Sequence, residues 1–493
     1  MPTLKHLKIN SFGENLVYLN RYCTAYQIEI LKDLTKVEVA GEGRSVFGLL
    51  QIIDDEALIN PDELGLNTEA FNKLGLEEGS GVSLALCAPV PSLNSIRRKM
   101  AGNVLAKAEY NAILADIESG KYSNMDIVSF LVASGSFMTA PEVHHLTEAL
   151  IGSNTISWDE ENLVVDHHCL GGIPGNKTDI IIAAIVAAYG MAIPKVTSRS
   201  LTAAAGVADV MNVLATVDID EQKLKKAVRE CRGAIACYDG LDIANVNKTL
   251  SAIERQIGIV QQEHVVSSIL AIKAATGVTN LLVDIPVGPQ ARVKTADEAM
   301  KMRKLLEYAG DKMGLDVDVV ITDGSEPIGY GIGPVLEARD IMKILRNKDD
   351  APQDLLGKSI FLAGRVLEFD PNLRGGQGAA VAKELLVSGK ALEALNRIIQ
   401  VQGKSPNPQL GNLTRDVIAD QSGIVESIDN MKINKLAILA GANRYPGAGL
   451  DLVAKTGDTV RLGDVLYSVY SCNPNDFAFA NAFIEADTGY VIK

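Results

Sequence analysis

The chain has 493 residues, enough for several domains that each bury a hydrophobic core. Hydrophobic residues make up 47% and charged residues 22% of it, as in ordinary globular proteins. The formal net charge of −14 and the sequence pI of about 5.1 disfavour a nucleic-acid polymer or an anionic membrane as the main partner. A small anion is not excluded, because a local basic site can override the average charge.

Cysteine usage and the N-terminus indicate a cellular setting. Six cysteines over this length are too sparse for a disulfide framework and favour a reducing environment. The opening residues lack the apolar core of a signal peptide, and no apolar run approaches the roughly 20 residues of a membrane span. The sequence therefore predicts a cytoplasmic protein that does not enter the membrane.

The spacing of apolar residues changes along the chain and predicts an α/β protein with β-rich ends. Short alternating runs near the N-terminus indicate strands, and helical spacing follows them. Strands and helices then alternate until a final β-rich stretch. The predicted segments are an N-terminal β-rich domain (1–88), a helical part (89–158), an α/β part (159–243), a second helical part (244–277), a second α/β part (278–402) and a C-terminal β-rich α+β module (403–493).

Residues 162–180 hold an unusual density of polar and titratable groups. The pattern predicts a buried strand over 162–165, then a glycine-rich loop, then a helix capped by Thr178. A loop at a helix start presents free N–H groups and favours an anion. The alternative is an ordinary strand-to-helix connection with exposed histidines. The candidate site residues here are Asp166, His167, His168, Cys169, Gly171, Gly172, Asn176, Lys177 and Asp179.

A second strand-loop-helix unit follows directly. The pattern predicts a strand over 193–197, a loop of small residues and a helix from Val207. Loops after successive parallel strands lie at one sheet edge, where ligands usually bind, and two hydroxyl- and glycine-rich loops there favour phosphate or sugar phosphate. Neither loop matches the nucleoside-triphosphate or dinucleotide motifs. The candidate residues here are Thr197, Ser198, Arg199, Ser200, Leu201, Thr202 and Ala203.

Three further residues are candidates for the same site. Ser268 and Lys273 lie beside an apolar stripe in a predicted helix, so they face either a ligand or the core. Arg292 follows the segment NLLVDIPVGP, which is predicted to be a strand that runs into a loop, and it adds a guanidinium after that loop.

The order of these pieces resembles the thymidine phosphorylase / AMP phosphorylase family over nearly the whole chain. The N-terminal β domain resembles that of the long-form members, namely archaeal AMP phosphorylases and their bacterial relatives. The segments that carry the resemblance are SIRRKMAGNVLAKAEYNAILADI, DHHCLGGIPGNKTD, TSRSLTAAAGVAD, SSILAIKAATG, LLVDIPVGP, PIGYGIGPVLEARD and GAGLDLVAKTGDTVRLGDVLYS.

The resemblance implies a fold and a reaction. A helical lobe (about 90–158 with 244–276) would face a mixed α/β lobe across a cleft, and two copies would form a homodimer through the helical lobe. The reaction would be phosphorolysis, in which inorganic phosphate attacks the anomeric carbon of a nucleoside or nucleotide and releases the free base and ribose 1-phosphate. Phosphate would be a co-substrate, and no cofactor or metal is expected.

Several ligand positions of the family carry other residue types in this chain. A histidine replaces a lysine, a carboxylate replaces a hydroxyl, and apolar residues replace a threonine, an aspartate and a base-contacting lysine. These positions are His167, Asp179, Val207, Val260 and Ile272. A histidine is mostly uncharged at pH 7, and a carboxylate repels phosphate, so the replacements alter the expected ligand shell.

Three hypotheses accommodate these departures. The protein is a phosphorylase with shifted specificity, in which Lys177, Arg199 and Arg292 supply positive charge. Alternatively, water replaces phosphate and the protein is a hydrolase, with His168 and Asp179 as acid–base groups. Thirdly, it binds a ligand without turnover. A metal site is not expected, because a His-His-Cys run has poor geometry for a single ion.

Overall fold

A computed structural model describes residues 1–11, 13–27, 36–158, 161–200, 203–258, 261–373 and 375–493. The chain divides into two compact units. The first unit contains Met1–Leu150 and Asn245–Gln261, and the second contains Ile151–Ala244 and Gln262–Lys493. The mixed α/β fold class predicted from the sequence is confirmed. The finer division into six segments stays a prediction.

The strands in chain order are β1 (Thr3–His6), β2 (Leu16–Asn20), β3 (Lys36–Gly41), β4 (Arg44–Ile53), β5 (Glu63–Leu66), β6 (Ser83–Leu86), β7 (Val165–Cys169), β8 (Ile193–Thr197), β9 (Gly233–Cys237), β10 (Asn280–Val287), β11 (Asp316–Asp323), β12 (Gly331–Ile332), β13 (Leu413–Ile418), β14 (Gly423–Ile428), β15 (Gly449–Leu452), β16 (Thr459–Val460), β17 (Val465–Ser471) and β18 (Tyr490–Ile492).

The helices within the described residues are α1 (Thr68–Leu74), α2 (Leu93–Met100), α3 (Lys107–Glu118), α4 (Asn124–Ser136), α5 (Ala140–Ile151), α6 (Thr178–Tyr189), α7 (Val207–Leu214), α8 (Glu221–Cys231), α9 (Asn245–Ile257), α10 (Gln262–Ala275), α11 (Ala296–Lys312), α12 (Pro334–Leu345), α13 (Gln353–Leu367), α14 (Gly378–Val387), α15 (Lys390–Gln402), α16 (Asn430–Leu439) and α17 (Pro474–Ala486). In the part of the chain that the structure describes, no helix is both long enough and apolar enough to cross a membrane.

The first unit joins a small β domain to a group of helices. Its six strands form one sheet in the order β1-β5-β2-β4-β3-β6. An isolated bridge between Thr3 and Gly81 brings β1 next to the approach to β6, which is the closure that a barrel requires. Among the helices, Lys99 and Glu142 form a fully buried ion pair at 2.6 Å between α2 and α5.

The second unit is built on a parallel sheet. Strands β11, β10 and β7 pair in that order, β8 pairs with β9, and a parallel bridge between Val164 and Ala192 connects β7 to β8. The chain therefore runs outward from β7 through β8 to β9, then crosses back to β10 on the other side of β7. Because the order reverses there, the carboxyl ends of β7 and β10 form a topological switch point, where ligands of open α/β sheets bind.

Helix α6 anchors the sheet to the helices around it. Residues 180–187 are all buried, and the helix packs against α13 and α15. An apolar run on every side of a helix indicates burial on every side, as the sequence IIIAAIVAA shows. The C-terminal β-rich module predicted from the sequence is also present, with β12, β15, β17 and β13 in one sheet and β16, β14 and β18 in another.

Two local predictions around β7 were wrong. The strand runs over Val165–Cys169 rather than 162–165, so four residues assigned to the loop belong to the strand. The strand tolerates Asp166 and His167 because their side chains have partners inside the protein, and His168 is partly exposed. Thr178 does not cap α6: Lys177 is the N-cap residue, and the Thr178 hydroxyl donates a hydrogen bond to the Gly175 carbonyl at 2.7 Å.

Candidate active site

Four buried charges lie behind the carboxyl end of β7. Asp166 is fully buried, and its Oδ2 accepts a hydrogen bond at 2.6 Å from Lys273 Nζ of α10. Lys195 Nζ of β8 lies 3.0 Å from Asp179 Oδ1 and 3.5 Å from Asp166 Oδ1. Two carboxylates and two ammonium groups thus compensate one another. Charges buried this deeply are stable only when they are paired in this way.

His167 and Asp179, two of the positions expected to depart from the family pattern, are partners of each other. His167 Nδ1 lies 2.5 Å from Asp179 Oδ1, and both side chains are buried. Although burial opposes the charge, the positive charge of Lys195 and the contacts with His167 hold the pKa of Asp179 well below its usual range. Asp179 is therefore a buried carboxylate anion whose Oδ1 is already paired.

His168 differs from its neighbours because it is partly exposed. Among the described residues, no hydrogen bond engages its ring. Desolvation and the positive charges of Lys273 and Lys195 hold the pKa of His168 well below its ordinary value, and the opposing effect of Asp179 is smaller. The ring is therefore neutral at pH 7 and able to accept a proton.

The switch point also contains a cluster that sequence reasoning missed. Asp284 of β10 lies opposite Cys169 in the sheet register, and Cys169 Sγ is 3.5 Å from Asp284 Oδ2. Thr322 donates a hydrogen bond to Asp284 Oδ1 at 2.5 Å, and Lys358 Nζ lies 3.1 Å from Oδ2. Lys358 also donates to the Pro174 carbonyl at 3.3 Å, so it connects α13 to the glycine-rich loop.

The residues of this cluster differ in how clearly the sequence pattern marks them as unusual. Asp284 is a charged residue inside an apolar strand, which is a detectable anomaly. Lys358 lies in a helix whose pattern contains nothing unusual.

Burial and the charge of Asp284 raise the pKa of the Cys169 thiol well above its ordinary value. Cys169 is therefore a neutral thiol that packs against the loop, since thiolate chemistry requires a lowered pKa.

The glycine-rich loop lies tightly against its surroundings. A Cβ atom added to Gly171 would lie 2.4 Å from Pro286, and one added to Gly175 would lie 2.4 Å from Cys169 Sγ. Gly172 has φ of +60°, a conformation that side chains rarely adopt. Only glycine fits these contacts and this backbone, which explains the composition of the loop.

Lys177 points into the protein. Its side chain is fully buried, its Nζ donates a hydrogen bond to the Gly331 carbonyl at 2.5 Å, and Asp340 Oδ2 is 3.9 Å away. Asp340 in turn accepts hydrogen bonds from the backbone N–H groups of Tyr330 and Gly331. In this structure Lys177 connects the glycine-rich loop to the loop before α12.

Hydrogen bonds connect the described residues of the loop after β8 to one another and to α7. The Ser200 hydroxyl donates a hydrogen bond to the Ala203 carbonyl at 2.6 Å and accepts one from the Ala203 N–H at 2.8 Å. Asp209 accepts hydrogen bonds from the backbone N–H groups of Ser200 and Gly206. Arg199 remains 36% exposed while it pairs with Asp209 and, at 2.7 Å, with Asp218.

The remaining predicted site residues are spread over this unit. Thr197 ends β8 and Ser198 follows it, Ser268 is partly exposed on α10, and Arg292 is exposed between β10 and α11. Lys273, as described above, faces Asp166 rather than solvent. Leu201 and Thr202 lie outside the described residues, as does Val260.

A cavity of about 200 Å³ lies elsewhere, within the first unit. Its lining includes Asn15, Lys36, Lys73, Tyr122 and Thr249, and none of the predicted site residues. We place the candidate site at the switch point because titratable groups and strand ends converge there.

A parallel sheet with a charge-compensated polar cluster at its switch point defines an α/β protein with a small-molecule site at the ends of its strands. A protein of Methylococcus capsulatus named "Putative thymidine phosphorylase" is 45% identical over 492 residues, which cover 99% of this chain and 95% of that protein. A protein of the same name from Rhodopseudomonas palustris is 43% identical over 493 residues, covering 100% and 96%. The chain therefore belongs to the thymidine phosphorylase family, as its motifs predicted.

Other comparisons agree with this assignment. The family model of the pyrimidine nucleoside phosphorylase C-terminal domain matches residues 424–493. Anthranilate phosphoribosyltransferase from Thermus thermophilus has a TM-score of 0.52 at 16% identity, over 62% of this chain and 99% of that chain. The enzyme from Saccharomyces cerevisiae, solved with PRPP and Mg, has a TM-score of 0.50 at 15% identity, over 64% and 98%. At such identities the similarity shows a shared fold alone.

Proposed function

We propose that this protein is a pentosyltransferase that cleaves a nucleoside or nucleoside 5′-monophosphate by phosphorolysis, with a specificity shifted from that of a thymidine phosphorylase. An oxygen of hydrogen phosphate attacks C1′ of the ribose, and the C1′–N bond to the base breaks. The base takes the electron pair of that bond. The products are the free base and ribose 1-phosphate, or ribose 1,5-bisphosphate from a nucleotide.

The observation that carries this proposal is the partly exposed ring of His168 at the switch point, which no hydrogen bond engages among the described residues. Hydrogen phosphate loses its proton as its oxygen becomes an ester, and the departing base needs one proton. A neutral imidazole accepts the first proton, and because its pKa is low it gives that proton up again to the base. The proton count then balances without a further acid or base.

The contacts of Asp179 support phosphorolysis over the hydrolytic alternative. A hydrolase would need this carboxylate to exchange a proton with water or substrate near pH 7. Instead Asp179 is a buried anion held by His167 and Lys195. We propose that it orders the histidines and does not itself react.

The anionic substrate needs donors that are accessible. Lys177, Lys195 and Lys273 are all buried against carboxylates or carbonyl oxygens. Arg199 and Arg292 reach the surface of loops that follow β8 and β10, which end at the same sheet edge. We propose that these guanidinium groups and the backbone of the glycine-rich loop hold phosphate groups, because both geometries suit bidentate or multiple donation.

The test is base release from a panel of nucleosides and 5′-monophosphates, each with and without inorganic phosphate. We expect strictly phosphate-dependent release, with ribose 1-phosphate or ribose 1,5-bisphosphate detected by ³¹P NMR. His168→Gln should lower kcat by about 100-fold or more, the usual contribution of a proton-transferring group. His145→Gln, on α5 of the other unit, is the matched control and should leave kcat unchanged.

Two outcomes would contradict the proposal. Release that is indifferent to phosphate would identify a hydrolase on this fold. No release from any compound, with binding detected by calorimetry, would identify a protein that binds its ligand without turnover. A comparison of each nucleoside with its 5′-monophosphate would show whether the sugar must carry a phosphate.

A further inference from the structure

We propose that Lys195 is a positioning residue that keeps the His168 ring neutral by pairing with the carboxylates buried behind it. Neither the sequence pattern nor the comparisons assign a role to this lysine. The inference rests on the proposed function, because it concerns the group that relays the proton there. The inference goes further because it names the residue that sets the protonation state of the His168 ring.

The contacts of Lys195 carry the proposal. Its side chain is 1% exposed, so it lies beneath the surface that a ligand could reach. Its Nζ donates hydrogen bonds to Asp179 Oδ1 at 3.0 Å and to the backbone carbonyl of His167, and it lies 3.5 Å from Asp166 Oδ1. One ammonium group thus connects both buried carboxylates to the strand that presents His168.

The second buried lysine cannot replace it. Lys273 is bonded to Asp166 and to the Val196 carbonyl, and no hydrogen bond joins it to Asp179 within the described residues. Without Lys195, the described partner of the Asp179 carboxylate would be His167 alone. An unpaired buried carboxylate favours a proton on a nearby base, so the pKa of His168 would rise.

The titratable groups that face His168 come from four elements: Lys273 of α10, Lys195 of β8, Asp179 of α6 and His167 of β7. The lysines oppose protonation of the ring and Asp179 favours it. Removal of Lys195 deletes one positive charge that lowers the pKa of the ring. It also leaves Asp179, whose negative charge raises that pKa, without its lysine partner. Both changes act in the same direction, so the effect on the ring should be large.

Lys195 brings an ammonium group from the neighbouring strand to the Asp179 carboxylate and to the backbone carbonyl of His167 at once. We infer that the three residues operate as one unit.

The test is an NMR titration of the histidine rings, which needs no turnover and therefore stays informative if the proposed function fails. The chain has six histidines, so His168→Gln assigns the signal. In wild type the ring should titrate below pH 6.5. In Lys195→Met it should titrate about one pH unit higher, while Lys195→Arg, which keeps the charge, should resemble wild type. The acidic limb of kcat/KM should move by the same amount in an active enzyme.

A second pair of variants covers a folding failure of Lys195→Met. Asp179→Asn alone should move the His168 titration to lower pH. Lys195→Met added to Asp179→Asn removes both charges and should move it back towards wild type. An unchanged His168 titration in folded Lys195→Met, an equal shift in Lys195→Arg, or identical titrations in Asp179→Asn and the double variant would each overturn the proposal.

Discussion

Substitution of Lys273 by methionine tests the buried charge cluster most directly. Lys273 is 2% exposed and Asp166 is fully buried, and their atoms are 2.6 Å apart. Removing one partner of a buried ion pair costs about 3–5 kcal/mol, because the remaining charge stays in a medium of low polarity. Asp166 keeps Lys195 at 3.5 Å and the His167 N–H at 2.7 Å. We therefore expect the lower end of that range, about 3 kcal/mol.

Differential scanning calorimetry measures this loss. Because the unfolding entropy is about 2.1 cal/mol/K per residue, one kcal/mol lowers Tm by about 1.5 °C in a unit as large as Ile151–Ala244 with Gln262–Lys493, so Lys273→Met should lower it by about 4–5 °C. Lys226→Met is the matched control, since Lys226 is 63% exposed and lies 4.0 Å from Glu230 on α8. A solvated pair of this kind contributes less than about 1 kcal/mol, and Tm should change little.

The double variant Lys273→Met/Asp166→Asn separates the loss of charge pairing from the loss of packing. It leaves no unpaired carboxylate, so it should be more stable than Lys273→Met alone. A Tm within about 1.5 °C of wild type for Lys273→Met would refute the reasoning, because the pair would then contribute less than about 1 kcal/mol. If the double variant lost as much Tm as Lys273→Met and Asp166→Asn together, the two residues would not interact.

Two other predictions concern the glycine-rich loop and Glu337 of α12. Gly175→Ala should lower the free energy of unfolding by about 1–3 kcal/mol, because the added Cβ would lie 2.4 Å from Cys169 Sγ. Addition of Cys169→Ala should restore part of the lost Tm. If Tm did not recover, the strain would lie at another contact. Burial raises the pKa of Glu337 from 4.5 to about 7, so the folded state holds a proton that the unfolded chain has already lost, and stability falls as pH rises through this window. Glu337→Gln should therefore gain on wild type by about 3 kcal/mol between pH 4.5 and pH 8 in urea unfolding, and a pH-independent difference would contradict this.

The sequence located the two loops at the strand ends but misplaced the boundary of β7. Apolar β-branched residues predict a strand, and the run from Asp166 to Cys169 contains none, so it was assigned to the loop. The structure places these residues in the strand because Asp166 bonds Lys273 and His167 bonds Asp179. Those partners lie 107 and 12 residues away in the chain, beyond the reach of local pattern.

The structure separates the candidate residues into buried and exposed side chains, and residue type alone did not predict this separation. Lysines in a glycine-rich loop favour phosphate binding, yet Lys177 is buried against Gly331, which is 154 residues away. Lys195, like Asp284, is a charged residue inside an apolar strand, a signal that the sequence analysis did not use. Lys358 carried no signal, because a single lysine in an ordinary helix has no distinctive pattern. The roles of the candidate residues stay predictions until the experiments above are made.

By itself, the sequence determined the alternation of strands and helices, the family and the glycine-rich connections, because each depends on short-range spacing and local backbone conformation. The tertiary structure decided which charged groups are paired in the interior and which reach solvent. The reason is physical: the pairing energy of a buried charge depends on distances between atoms from strands and helices that are remote in sequence. Lys195, Asp179 and His168 take their protonation states from that arrangement, and the proposed chemistry follows from it.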